Sequence, residues 1–171
     1  GRILPDPTEE MEKNQPLVFE ECLFKNGYAK KANYILKGND QICFYQKRKN
    51  QQVNLWAIID IADMKKMHIQ LLNDAFEIFW CNELTREEKK KDVRFTFVIQ
   101  TERINDAISR IFYDGSGTRM YKHRSRMAVL YEKKHDIIKI KCTDRESRYK
   151  NIYREMREEL KRVIGRRDID L

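Results

Sequence analysis

The sequence predicts an α+β fold: short strands in hairpin series form one bent antiparallel sheet, closed by an amphipathic helix and followed by a strand-strand-helix extension. Three observations carry this reading. Between Leu17 and about Val98, runs of Val, Ile, Phe and Tyr alternate with glycine or polar turns at hairpin spacing. Ile104, Ala107, Ile108, Ile111 and Phe112 then recur at helical intervals. Beyond Asp114-Gly115-Ser116-Gly117, a composition typical of a loop, two more apolar runs precede a long helical stripe. On this basis 1–16 is an irregular leader, 17–114 the core and 115–171 an extension packing on that core.

The elements follow in order. Pro5, Pro7 and Pro16 hold the leader out of regular structure. Val18–Phe24 reads as the first strand, and Asn26-Gly27, able to take positive φ angles, as its hairpin turn. Asn33–Lys37 and Gln41–Gln46 form a second hairpin around Gly38-Asn39-Asp40, and Lys47–Gln52 makes a third reversal. Val53–Ile61, Met67–Leu72 and Ala75–Cys81 are the next strands, with Asn73-Asp74 turning between the last two. Thr85–Asp92, charged and without an apolar stripe, is a solvated loop or short surface helix. Val93–Gln100 alternates cleanly and is the seventh strand. Thr101 is placed to cap the helix after it and Gly115 to stop it. Met120–Tyr131 and Ile137–Lys141 pair through Lys133–Asp136. Thr143-Asp144-Arg145-Glu146 has the form of a capping box, opening a helix whose stripe runs from Tyr149 to Ile164 and stops at Gly165.

Charge narrows the partners. Against 27 acidic residues stand 35 Lys and Arg, a formal +8, which favours anionic partners. The chain opens on Gly1 rather than Met, and is read as a segment to which an anchor or other domains belong. No stretch has the apolar length to span a bilayer, and no signal peptide opens the chain, so the expected location is cytoplasmic and peripheral to a membrane. Cys22, Cys43, Cys81 and Cys142 show no metal-ligand spacing and read as reduced thiols. No nucleotide-binding, hydrolase or zinc-protease motif is present, and Gly115-Ser116-Gly117 lacks the lysine of a phosphate loop. The chain is therefore read as no enzyme, with no cofactor and no metal. His68, on an apparent strand between Met67 and Ile69, reads as packed or at an edge, and Trp56 and Trp80 as core.

Seven strands ending in an amphipathic helix across 17–114, with Asn33-Tyr34-Ile35-Leu36-Lys37-Gly38 and Gln41-Ile42-Cys43-Phe44-Tyr45 as second and third strands, resemble the pleckstrin-homology family. The two strands after the helix are similar to the tail homology region of class I myosins, which binds acidic phospholipids. The resemblance implies a seven-stranded bent sheet or barrel capped by a helix. It also implies a lipid site between the first strand pairs, where Asn33 stands in place of the family's arginine after Lys25, Lys30 and Lys31.

Lys25, Lys30 and Lys31, with Lys47, Arg48 and Lys49 on a loop at the same open end, are the expected lipid-binding rim, or else solvated loop cations. Arg119, Lys122, Arg124 and Arg126 make a second basic face, or a charged strand that blocks edge pairing. Nucleic acid has only the charge and Tyr121 in its favour. The 144–164 helix either docks a protein partner or, the preferred reading, packs on its own sheet. The expected function is recruitment of a parent protein to acidic phospholipid, phosphatidic acid or phosphoinositide. The alternative is a protein-interaction adaptor in a cytoskeletal or trafficking assembly.

Overall fold

The computed structural model describes residues 16–35, 40–62, 66–115, 124–142 and 149–166, with backbone alone at 66–69, 71–73, 75 and 115. In chain order the elements are α1 (Phe19–Lys25), β1 (Ala29–Ile35), β2 (Gln41–Lys49), β3 (Gln52–Asp60), α2 (Lys66–Asn82), α3 (Arg86–Lys89), β4 (Asp92–Thr101), α4 (Asp106–Gly115), β5 (Arg124–Glu132), β6 (Ile137–Lys141) and α5 (Lys150–Ile164). The described strands belong to one six-stranded sheet in sequential order, β1 to β6. β1, β2 and β3 form an antiparallel meander, β3–β4 and β4–β5 pair parallel, and β6 returns antiparallel on β5.

The chain is α+β, as the sequence predicts, but its sheet is open and mixed, in place of the expected seven-stranded antiparallel barrel. Two local misreadings account for the difference. Val18–Phe24, expected as a strand, is the helix α1: Phe19 and Leu23, four residues apart, are the buried pair, while Val18 and Phe24 are exposed. Met67–Leu72 and Ala75–Cys81, expected as two strands with His68 on the first, are one 17-residue helix, α2. Phe76, Phe79 and Trp80 recur at its helical spacing, and Gln70 bonds Asp74 four residues on, within the expected turn. A parallel pair needs a long crossover, and α2 supplies it between β3 and β4.

Other expectations shift by smaller amounts. Asn26-Gly27 ends α1 instead of turning a hairpin. The Tyr28 N–H donates to the Leu23 carbonyl at 3.0 Å and the Gly27 N–H to the Phe24 carbonyl at 3.1 Å, with Gly27 at φ +84°. This is the paired closure of a Schellman motif, and Leu23 and Tyr28 are buried beside each other in one core. α4 is capped by Asn105, whose side chain accepts from the Ile108 N–H at 2.8 Å, while Thr101 belongs to β4. Lys47, Arg48 and Lys49, expected on a loop, end β2. Val93–Gln100, Ile137–Lys141 and the helix ending at Gly165 (φ +69°) stand where the sequence places them. The Gly38-Asn39 turn and the 143–146 capping box lie outside the described residues.

Helices cover both faces. Val53, Leu55, Ala57 and Ile59 of β3 and Val93, Phe95, Phe97 and Ile99 of β4 pack with α2 and α4. Trp56, Val98, Met127, Val129 and Tyr131 pack on the opposite face with Phe19 and Leu23 of α1 and Met156, Leu160 and Val163 of α5. α2 and α4 share a face, as two crossovers of one hand require when strand order advances in one direction. Residues of the expected extension thus supply β5 and β6 to the common sheet and α5 to its second face. Each large apolar side chain so buried contributes on the order of 2 kcal/mol.

Gly27 tests this account of the α1 terminus. A Cβ there would meet Lys47 Cε at an ordinary 3.6 Å, so backbone conformation alone opposes a side chain. Gly27→Ala is expected to lower unfolding free energy in urea by roughly 1 kcal/mol, and Gly27→Asn by less, because asparagine tolerates the left-handed region.

Candidate functional site

The two ends of the sheet differ in charge. At the amino ends of the parallel strands, Lys31, Lys47 and Arg48 join Gly27, Ala29 and Gln46 around a shallow depression of about 330 Å³. Lys25 closes α1 just before it. Lys47 Nζ donates to the Asn26 carbonyl at 2.6 Å and lies 5.7 Å from the Tyr28 ring centroid. Arg48 Nε pairs with Glu88 at 3.0 Å, Lys49 with Glu159 at 3.6 Å and Lys30 with Glu20 at 3.3 Å. Among the described residues, Lys25 and Lys31 have no ion pair. The structure therefore gathers Lys31, Lys47 and Arg48 of the expected rim around one depression and gives Lys30, Arg48 and Lys49 carboxylate partners.

Glu88 shows why Arg48 is held there. Thr85 and Glu88 form a reciprocal capping box on α3, and Glu88 also accepts from Gln46. Burial pushes the Glu88 carboxyl up, but the bonds from Thr85 and Gln46 and the charge of Arg48 outweigh it and hold the group below its ordinary value. The Thr-x-x-Glu spacing that signals this box was visible at Thr85, within a segment expected as loop or short helix.

The second basic face is not an open surface where it is described. The Arg124 guanidinium stacks 3.8 Å from the Trp80 ring centroid, and that of Arg126 lies 4.4 Å from Phe76 and pairs with Glu77 at 2.5 Å. Both cations cover aromatic residues of α2. Arg119 and Lys122 lie outside the described residues. The stripe of α5 is equally engaged: Tyr153, Met156, Leu160, Val163 and Ile164 are core, so the helix offers no free apolar face from them to a partner.

At the carboxyl ends of β3 and β4, on the α1 side, lies a cleft of about 500 Å³. Its inner wall includes buried Phe19 and Tyr45 with Cys43 and Ile58, and the chain from Pro16 to Glu20 forms another wall. Glu20, Asp40, Asp60, Gln41, Gln100 and Lys133 supply its polar groups. Lys133 bonds Asp60, and Glu20 accepts from the Tyr45 hydroxyl. That hydroxyl holds the Glu20 carboxyl below its usual range, while burial and the same bond push the Tyr45 phenol up. Open α/β sheets commonly bind ligands at the carboxyl ends of their strands.

No family model matches the chain, and no curated protein or solved structure shows significant similarity to it. Among the described residues no group of three or more His, Cys, Asp or Glu is placed to hold a metal ion, and all the described cysteines are free thiols. Among the described residues no helix is long and apolar enough to cross a membrane.

The sequence reading missed the cleft because its polar residues come from α1, the start of β2, the ends of β3 and β4, and the β5–β6 turn. No local motif joins them. The wall at Leu17 is tied down by Tyr131, whose hydroxyl accepts from the Leu17 N–H at 2.9 Å and donates to Asp136 at 2.7 Å. Arg166 holds Asp136 in turn at 2.6 Å. Burial and the bond to Asp136 push the Tyr131 phenol up to about 12. An unfolded tyrosine ionises near 10, so the stability contributed by neutral Tyr131 is whole below that pH and falls as pH rises towards about 12. Thermal melts should show this decline, with a smaller slope in Tyr131→Phe.

Proposed function

We propose that the chain is a non-enzymatic binding module that holds its parent protein against acidic phospholipid through the amino-end depression. The observation that carries this reading is the grouping of Lys31, Lys47 and Arg48 there, with Lys25 and the exposed Phe24 closing the adjacent helix. Phe24 packs edge-on to Tyr45 at 6.0 Å between ring centroids, and Lys30 is the register partner of Tyr45. An exposed aromatic ring beside cations suits the interfacial layer of a bilayer, where the ring meets acyl chains and the cations meet headgroup phosphates. The reading rests on this surface and requires no pleckstrin-like barrel.

The chemistry is electrostatic and reversible. Cations already paired with Glu20, Glu88 and Glu159 keep their pairs, so attraction falls chiefly to Lys25, Lys31 and Lys47. At about 1 kcal/mol for each cation near an anionic leaflet, three such groups give binding that depends strongly on salt and on lipid charge. A shallow depression without a buried arginine fork favours general acidic lipid, phosphatidic acid or phosphoinositide, over one headgroup stereoisomer.

Co-sedimentation with phosphatidylcholine vesicles, with and without phosphatidic acid, phosphatidylserine or a phosphoinositide, tests this. Binding is expected only to the acidic vesicles and to weaken from low to physiological salt. Lys25→Ala with Lys31→Ala, which removes no bond among the described residues, should lower partitioning about thirtyfold. Unchanged binding by that double variant would sink the reading.

A further inference from the structure

We propose that the outer edge of β1 is a docking site for an extended acidic segment of a partner protein, which adds to the sheet as a further strand. Among the described residues β1 has a neighbouring strand, β2, on one side only. None of its residues is fully buried, and Ile35 is 75% exposed. An edge of this kind leaves alternate N–H and C=O groups without a strand partner; an added strand satisfies them, and its side chains set selectivity. The opposite edge differs. Ile138 and Ile140 of β6 are buried, and Lys139 and Lys141 are fastened to α4, the first to the Ser109 hydroxyl at 3.0 Å and the second to the Tyr113 carbonyl.

The charge of β1 selects the partner. Lys30 and Lys31 adjoin a bulge, where the register with β2 shifts. Lysines and a bulge on an edge oppose pairing with a strand of like charge. A second copy of this chain presents such a strand at either edge, with Lys30 and Lys31 on β1 and Lys139 and Lys141 on β6. An acidic segment meets opposite charge instead. Lys31 has no ion pair among the described residues and lies on the depression shared with Lys47 and Arg48, so the positive charge continues past the start of the strand. Lys30 and Glu20 are both substantially exposed in their pair, which therefore holds little free energy against exchange for another carboxylate.

The two faces of β1 set a second requirement. Ala32 and Tyr34, in register with Phe44 and Ile42, pack against the core shared with α2, and the Tyr34 ring meets Phe44 edge-on at 5.6 Å. Lys30 and Asn33 are in register with Tyr45 and Cys43, which belong to the opposite face. A segment that alternates apolar and acidic residues thus extends the core beside Ala32 and Tyr34 on one face and sets carboxylates beside Lys30 on the other. The inference does not rest on the lipid reading, and a test without vesicles lets the two fail separately.

Amide NMR of the isotopically labelled full chain, titrated with a peptide of four Val-Glu repeats, tests the edge. Saturable shifts are expected along Lys30–Ile35, with slower hydrogen exchange at alternate β1 amides. A Val-Lys repeat peptide, and a Val-Glu peptide N-methylated at every amide and so without N–H donors, should give neither. Lys31→Glu, at an exposed position, should weaken the Val-Glu peptide about tenfold by reversing one cross-strand charge, and leave the melting temperature in place. Binding of either control peptide as strong as that of Val-Glu, no saturable shift, β1 shifts that grow with protein concentration alone, or protection of every β1 amide before peptide is added would each overturn the proposal.

Discussion

β4 lies between two parallel neighbours, β3 and β5, and most of the architecture depends on that pairing. Parallel strands cannot be joined by a tight turn, so α2 and α4 must cross over the sheet. They cover one face and leave the other to α1 and α5. With both faces covered, Val93, Phe95, Phe97 and Ile99 can be buried on one side of β4 and Thr96 and Val98 on the other. Parallel pairing also gathers the carboxyl ends of β3 and β4 at one edge of the sheet, where the cleft forms.

Buried polar groups join the helices to this sheet. Glu159 of α5 accepts from the Tyr28 hydroxyl at 2.8 Å, and Asn54 of β3 donates to the same hydroxyl at 3.3 Å. Burial, followed by the Glu159 charge, pushes the Tyr28 phenol up, so it remains a donor at neutral pH. Arg162 and Lys49 neutralise Glu159 from outside. Glu88 plays the same part for α3 and β2. These carboxylates explain why part of the basic end is structural: Arg48 and Lys49 offset buried negative charge, and leaving that charge unpaired would cost several kcal/mol.

Legibility in the sequence followed the range of the interactions. β4 and β6 were readable because apolar alternation is a property of neighbouring residues, and α5 because its stripe recurs over 15 residues and ends on a glycine. The region 66–82 was not. Its apolar residues are dense enough to satisfy a strand period over short windows, and only the need to cross from β3 to β4 selects the helix. Of Asn26-Gly27, Gly27 takes the expected positive φ while Asn26 stays at φ −98°; such a pair can close a hairpin or a helix, and burial of Phe19 and Leu23 decides for the helix. The lysines of the basic end were visible as charges, whereas their carboxylate partners were not, since Glu88 and Glu159 lie 40 and 110 positions from Arg48 and Lys49.

By itself, then, the sequence determined the α+β character, the basic excess, the reversals at Lys47–Gln52 and Lys133–Asp136 and the helix that stops at Gly165. Each of these is local, set by side-chain period, backbone freedom at glycine or simple charge. Tertiary structure decided the parallel order of β3, β4 and β5, the faces their residues take, which cations are bound to buried carboxylates, and the cleft at the opposite end. Those depend on residues far apart in the chain meeting across a sheet, and pairing of that kind follows from the burial of both sheet faces together, which no single segment encodes.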